Sequence, residues 1–514
     1  MDLSISKEPL YLNEVIYDGT AEQGVEFDYI LPDYYPDIFK ILKCSLKPGI
    51  VSYNISGDKL ICDGIVYISA LYLSENSNNL NCVEHRYTFS KTIDLSKEAE
   101  GASATIIPKT DYCTVRAISG RRLDVRGAIS CKVKVTNSRM TEIISGAKGN
   151  GVQVKNTPVP CGGKKITVKK QFIAREDIEV SEARGTVKSV VSCDTVSSVS
   201  DCKVIEDKVI LKGEVKLKAL YLIENDGEVS TEIMEADIPL SQIIDAEGIT
   251  DKHSSYAQFN ILSCDLSLKQ TGESESRIFT CDISAEASVL ANIEQTVYPV
   301  TDMYSTDYES EFTTASIRTE TNPRYISQTL TLKETAECTQ GAPQSVIDAR
   351  CELNNLTCRG KSSEELVVCG QASYQVLARL ESGQPVFIEK VQPFELSVQV
   401  SGLNEDSSID PFLQVASVSY SITSESEIEL RVSISMQGVL YQTGSIEVVK
   451  EININTEAPK KKNNEYSLKL YFAEENEDVW SIAKQYNTDC EQIRAENDIE
   501  GDTVPAGMLL IPIV

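Results

Sequence analysis

Histidine and tryptophan are almost missing from these 514 residues, with His85, His253 and Trp480 the whole complement. The two histidines stand in different parts of the chain with no metal-binding motif around either, which argues against a zinc centre or a histidine-activated nucleophile. No G-x-S-x-G, H-E-x-x-H or G-x-x-x-x-G-K motif occurs. Gly162-Gly163-Lys164-Lys165 lacks the first glycine and the closing Ser or Thr of a phosphate loop and reads as a turn between domains. Positive charge is also short, 49 Lys and Arg against 77 Asp and Glu for a formal net charge of -28, and the only basic run is Lys460-Lys461-Lys462. A phosphate-binding surface needs clustered cations, so nucleic acid and anionic membranes are excluded as partners. Nowhere do 18 apolar residues run together, and Met1 to Pro9 shows neither a basic end before an apolar core nor a cleavage site, so a cytosolic protein without membrane insertion is expected. Fifteen cysteines are present, but the number is odd, the spacing scattered and C-x-x-C absent, which favours reduced core thiols over a disulfide framework. Acidic pairs such as Asp33 with Asp37 read as surface carboxylates in so acidic a chain. The expectation is a protein that is not an enzyme and carries no cofactor or metal.

What remains is an ordinary globular balance, 41% apolar and 25% charged, over a length sufficient for three to four domains. The segment Leu60 to Glu75, through Gly64 and Ala70-Leu71-Tyr72, returns as Val209 to Glu224, through Gly213 and Ala219-Leu220-Tyr221, and a weaker third copy runs from Leu366 through Gly370 to Leu380-Glu381. Cys44, Cys193 and Cys351 precede the three glycines by 20, 20 and 19 residues and read as one repeated core position. Within each copy the period is two. Val209, Leu211, Val215, Leu217, Ala219 and Tyr221 alternate with Lys212, Glu214, Lys216 and Lys218, and Leu123 to Val135 and Ile428 to Met436 behave alike. Asn225-Asp226-Gly227 and Glu381-Ser382-Gly383 are hairpin turns by composition. We therefore expect three antiparallel β-sandwich or barrel-like repeats at 1–150, 160–320 and 323–456, arranged as beads. Breaks are expected near Gly146 to Pro160 and Thr319 to Pro323, and a flexible linker at 457–465 leads to a terminal module at 466–514.

In the last segment, Val479, Ile482, Ala483 and Tyr486 recur at helical spacing, Asp478 can cap that helix, and Asp489 can cap a second one bearing Cys490 and Ile493. With apolar runs at Leu470 to Ala473 and Leu509 to Ile511, a small α+β module of strand, helix, helix, strand follows. Val479-Trp480-Ser481-Ile482-Ala483 with Lys484-Gln485-Tyr486, then Ile493, Asn497 and Pro505-Ala506-Gly507-Met508-Leu509-Leu510-Ile511-Pro512, resembles the LysM domain. The resemblance implies binding rather than catalysis. LysM domains that hold N-acetylglucosamine polymers carry Gly-Asp-Thr before the first helix, where this chain has Asn476-Glu477-Asp478, and the module is rich in acid, which favours a basic protein surface as ligand. Candidate partner-binding residues are Leu468, Asn476, Asp478, Trp480, Asn497 and Ile499, with Trp480 open to either a core or an interface role.

Ahead of it, Asp28-Tyr29-Ile30-Leu31-Pro32-Asp33, Pro36-Asp37-Ile38 and the Gly64 and Gly213 strands resemble the SPOCS domains of clostridial spore-coat-associated proteins. That resemblance implies a scaffold or adaptor of coat assembly. Its LysM would bind a coat morphogenetic protein, a SpoIVA-like ATPase, at the forespore surface in the mother-cell cytoplasm, and its β repeats would support homo-oligomers. The alternative is a peptidoglycan-binding LysM protein of the wall or spore cortex.

Overall fold

Long period-two alternation rich in β-branched residues fits pleated, half-buried strands, and strands dominate the protein. The computed structural model describes residues 3–74, 80–180, 185–225, 228–269, 277–404, 407–461 and 468–512; the expected turn at 226–227 and the linker positions 462–465 lie outside these. The first repeat comprises β1 (Ser4–Ile30), β2 (Ile38–Ser56), β3 (Lys59–Ser74), β4 (Leu80–Asp94), β5 (Ser103–Ser119) and β6 (Arg122–Lys148). They form two antiparallel sheets, β1-β6-β5 and β2-β3-β4.

Two short strands, β7 (Val152–Asn156) and β8 (Val159–Gly162), lead to the second repeat: β9 (Ile166–Glu179), β10 (Thr186–Ile205), β11 (Lys208–Asn225), β12 (Glu228–Asp245), β13 (Ser254–Leu268) and β14 (Ile278–Asn292). After β15 (Glu294–Val297) and β16 (Val300–Ser305) comes the third: β17 (Tyr308–Glu337), β18 (Pro343–Ser362), β19 (Glu365–Leu380), β20 (Pro385–Gln399), β21 (Ser408–Ile422) and β22 (Glu427–Pro459). Strand order is the same three times: first-sixth-fifth in one sheet and second-third-fourth in the other. Each repeat is an open antiparallel sandwich, not a closed barrel.

The expected alternation supplies each core. On β11, Val209, Leu211, Val215, Leu217, Ala219 and Tyr221 are buried while Lys212 and Lys216 are exposed. The repeated glycine is a matter of space. A Cβ on Gly64 would overlap the Phe89 ring, one on Gly213 would overlap the Ser198 carbonyl, and one on Gly370 would meet the Asn354 carbonyl and the Phe394 ring at 3.0 Å each.

The repeats are not beads. On the second strand of each, a β-bulge inserts one apolar residue at the same register position: Leu42, Val191 and Ile347. Opposite them stand the equivalent Leu71, Leu220 and Leu377, and all six meet in one cluster with Leu73, Leu80, Cys82 and Leu222. Equivalent residues of three repeats can meet only about a shared axis, so the sandwiches close into a pseudo-threefold trefoil. Ion pairs knit the same junction: Lys43 to Glu389 at 2.9 Å, Lys218 to Asp348 at 2.7 Å, Arg350 to Asp194 at 2.8 Å, and Lys47 to Asp194.

The register also revises the cysteine repeat. Cys44 faces Ala70 and Cys193 faces Ala219, but the third-repeat residue in that place is Ala349, facing Val376; Cys351 lies two residues further along the same face, opposite Tyr374.

Beyond the sandwiches the first and sixth strands run on as ribbons. The outer halves of β1 and β6 pair past a register shift at Val15/Tyr17, β17 and β22 do the same past Thr321/Arg324, and in repeat two the ribbon is broken into β8 with β15 and β7 with β16. The three ribbons pack into a stalk around Ile144, Ala147, Val300, Met303, Val449 and Ile452, with Leu10, Ile143, Cys161 and Val297 nearer the trefoil. The chain passes from repeat two to repeat three at Thr306-Asp307; the break expected near Thr319 to Pro323 lies inside continuous β17.

Candidate functional site

The terminal module folds as its spacing predicts. It contains β23 (Leu468–Ala473), β24 (Glu477–Asp478), α1 (Val479–Tyr486), α2 (Cys490–Asn497), β25 (Thr503–Val504) and β26 (Gly507–Pro512), with β23 and β26 antiparallel. The side chain of Asp478 accepts from the Trp480 N–H at 3.3 Å, and that of Asp489 from the Glu491 N–H at 2.8 Å, so each helix has its N-cap. Val479, Ile482, Ala483, Ile493, Leu509 and Ile511 make the core.

This module is seated on the end of the stalk. Tyr304 of β16 belongs to its core cluster, with its ring edge-on to Trp480 at 4.9 Å between centroids and its hydroxyl donating to the Thr488 carbonyl at 2.7 Å. Asp302 uses both carboxylate oxygens, accepting from Trp480 Nε1 at 2.8 Å and Lys484 Nζ at 2.6 Å. From β7, Lys155 donates to Asp478 at 2.8 Å and Gln153 to Asp489 at 3.3 Å, so both helix caps are tied to one strand of the stalk. Lys460, in the expected flexible linker, donates to the Ser305 carbonyl at 2.8 Å and also to Asn487. Burial raises the Asp478 pKa, but Lys155 and the helix N–H outweigh it and hold the carboxyl below its ordinary value.

The six expected partner-binding residues separate into groups. Trp480 and Asp478 face the stalk. Asn476 takes a left-handed conformation, φ 65°, and its N–H donates to the Val504 carbonyl, a turn conformation that asparagine tolerates and glycine adopts freely. The Asn497 amide donates to the carbonyls of Ile493 and Leu510 at 2.8 Å each and accepts from the Leu510 N–H at 2.6 Å, which joins α2 to β26. Ile499 packs half-buried on the core. Leu468 opens outward, at 40% exposure, in line with Leu470 at 56% and Phe472 at 76% on β23, with Met508 of β26 beside Phe472 at 57%. Alternate residues share a face of a strand, so these form one apolar stripe. Sequence reasoning named only Leu468 from this stripe, though the i, i+2, i+4 pattern of Leu468, Leu470 and Phe472 was readable. Asp302, Tyr304, Lys155 and Gln153 had no local signal, being more than a hundred residues from their partners.

Elsewhere, His85 stacks on Phe27 at 3.9 Å between ring centroids, and among the described residues no cluster of three or more His, Cys, Asp or Glu is placed to hold a metal ion. No described helix is long and apolar enough to cross a membrane.

Comparison with known families fits this geometry. The SipL, SPOCS domain family matches residues 37–118 and 186–269, which span β2 to β5 and β10 to β13, and the LysM domain family matches residues 474–511. The chain carries two SipL-type SPOCS segments and a C-terminal LysM domain. The third repeat lies outside the SPOCS matches, yet its strand order makes it a third copy of the same fold. Its domains associate this SPOCS and LysM protein with sporulation and give it a module of the glycan-binding LysM class. No curated protein and no solved structure matches the chain.

Proposed function

We propose that this chain is a non-enzymatic scaffold or adaptor of endospore coat assembly. Its trefoil is a rigid body placed at the forespore surface in the mother-cell cytoplasm, and its LysM module binds a coat morphogenetic protein of the SpoIVA-like ATPase class. The observation that carries the protein-ligand reading is the stripe Leu468, Leu470, Phe472 and Met508, a contiguous apolar face left open while the Asn476-Glu477-Asp478 loop is engaged within the chain. Exposed apolar stripes on otherwise polar surfaces mark protein contacts. Glu474, Glu475, Glu496, Asp498 and Glu500 are exposed on the same module, so the fitting surface is apolar with a basic surround.

Co-purification of the coat ATPase with the full chain tests this. Leu468→Arg and Phe472→Glu should each lower capture at least tenfold while leaving the fold intact, and truncation after residue 461 should abolish it. Undiminished capture by both surface variants would remove the stripe from the interaction, and undiminished capture after truncation would remove the module.

The glycan reading draws on the LysM match at residues 474–511. Saturable retention on insoluble peptidoglycan, insensitive to Phe472→Glu, would favour it over the protein-ligand reading.

A further inference from the structure

All cysteines in the structure are free thiols, yet some are paired in space. On β10, Cys193 holds its Sγ 3.6 Å from that of Cys264 on β13. These strands are edges of opposite sheets, at the side where the two sheets of the sandwich approach closely. The first repeat places Cys44 of β2 and Cys113 of β5 at the same positions on the same two packed edge strands, and the two thiols perturb each other electrostatically. Register shows that the two pairs are equivalent. Cys44 and Cys193 each stand two pairing steps beyond the bulge on the second strand, and Cys113 and Cys264 each stand two steps beyond the bulge on the fifth. In the third repeat both positions change together, to Ala349 and Val418. The sandwich therefore closes without thiols there, and packing alone does not call for two cysteines in contact.

We infer that Cys44 with Cys113, and Cys193 with Cys264, are oxidation sites that form disulfides stapling the two sheets of the first and second repeats. A disulfide needs its sulfurs at about 2.0 Å; at Cys193 and Cys264 a side-chain rotation covers the gap from 3.6 Å, and the equivalent register of Cys44 and Cys113 gives that pair the same approach. Cys113, Cys193 and Cys264 are partly exposed, so a small disulfide such as oxidised glutathione can reach one sulfur of each pair. In repeat one the Cys113 thiolate attacks that disulfide, forming a mixed disulfide and releasing one glutathione thiolate. Cys44 then loses its proton and attacks the Cys113 sulfur, releasing the second glutathione. Two protein thiols are oxidised to one disulfide while one oxidised glutathione is reduced to two thiols. Coupling between the two thiols raises the Cys44 pKa and lowers that of Cys113, in keeping with Cys113 attacking first.

The inference rests on thiol geometry and stands apart from the proposed function. The full chain would be incubated in its native state with oxidised glutathione, its residual thiols alkylated, and its peptides mapped by mass spectrometry without reduction. The expected result is two linked peptides, Cys44 with Cys113 and Cys193 with Cys264, reversed by dithiothreitol, together with a rise in the thermal midpoint. The double variant Cys193→Ala, Cys264→Val reproduces the third repeat's pair, so it should fold, lose only the second link and show a smaller rise. Cys281 is the internal competitor, its Sγ also 3.6 Å from Cys264. Linkage of Cys264 to Cys281 in place of Cys193, or full alkylation of all four thiols after oxidation, would overturn the assignment.

Discussion

Replacing Tyr304 with alanine should release the LysM module from the stalk. The side chain is 3% exposed, and truncating a buried aromatic residue costs about 3–5 kcal/mol. Within that total the edge-on contact with Trp480 contributes about 0.5–1.5 kcal/mol, and the hydroxyl bond to the Thr488 carbonyl contributes about 1 kcal/mol. Tyr304 lies on β16 and not in the module, so most of the loss falls on the seating and little on the module's own fold. A loss of about 3 kcal/mol lowers the ratio of seated to released module by more than about a hundredfold. Trp480, the only tryptophan, reports this directly, because in the seated state its ring meets Tyr304 and its indole N–H is held by Asp302. Tyr304→Ala should shift tryptophan emission to the red and raise acrylamide quenching, with far-UV circular dichroism unchanged. Asp302→Asn, which weakens the bonds to Lys484 and the indole but leaves the ring contact, should shift emission less. Emission and quenching in Tyr304→Ala equal to those of the unaltered protein would refute the seating.

Three further outcomes follow from single sites. Gly213→Ala forces a Cβ against the backbone carbonyl of Ser198, which cannot rotate away, and should cost about 1–3 kcal/mol by denaturant unfolding, more than Gly370→Ala, whose nearest neighbours include the movable Leu356 side chain. Burial alone would raise the Asp194 pKa, but Lys47 and Arg350 outweigh it and bring the carboxyl down to about 2 from an ordinary 3.8. Its stabilisation is therefore complete above about pH 4 and lost as pH falls through 2. The side chain keeps 31% exposure, so the loss is at most about 2 kcal/mol, and Asp194→Asn should flatten that part of the acid-unfolding curve. Asn497→Ala removes three hydrogen bonds, two of them between α2 and β26, and should destabilise the module by about 2–3 kcal/mol, read from loss of hydrogen-exchange protection over 490–512 with protection in the trefoil unchanged.

Much of the local structure was legible because its causes are local. Alternation at Val209 to Tyr221 places the β11 core, and Asp478 and Asp489 lie where helix spacing requires caps. The repeats were visible, but their association was not, since the residues that join them break the pattern that reveals a strand. Leu220 and Leu222 are buried on the face that alternation assigns to solvent, because that face meets the other two repeats. Bulges are likewise silent in composition, and the additional one on β18 between Gly360 and Ser362, which the second strands of the first two repeats lack, explains why counting residues back from Gly370 selected Cys351 where register selects Ala349. At the site, Leu468 was readable from its strand. The seating of Trp480 depends on Asp302 and Tyr304, which only the folded stalk brings near.

The charges at the trefoil axis bear on how such a chain can assemble. At the position just past each bulge, the repeats carry Lys43, Ser192 and Asp348, and two residues further on they carry Ser45, Asp194 and Arg350. Three copies of the first or the second repeat would set like charges and bare serines against one another around the axis. The mixed set instead pairs Arg350 with Asp194 and with Asp348 across and within repeats, and Lys43 reaches Glu389 of the third. Buried or half-buried ion pairs contribute little net stability, but mispairing them is costly, so their main effect is to fix which neighbour sits where. The apolar cluster of Leu42, Val191, Ile347 and the three equivalent leucines supplies the attraction, and the charges supply the order. Covalent linkage of three diverged repeats thus gives one closed body whose junction is already filled. Assembly with further copies or with other proteins must then use surfaces away from the axis, and the LysM module with its apolar stripe lies at the far end of the stalk, where a partner can reach it.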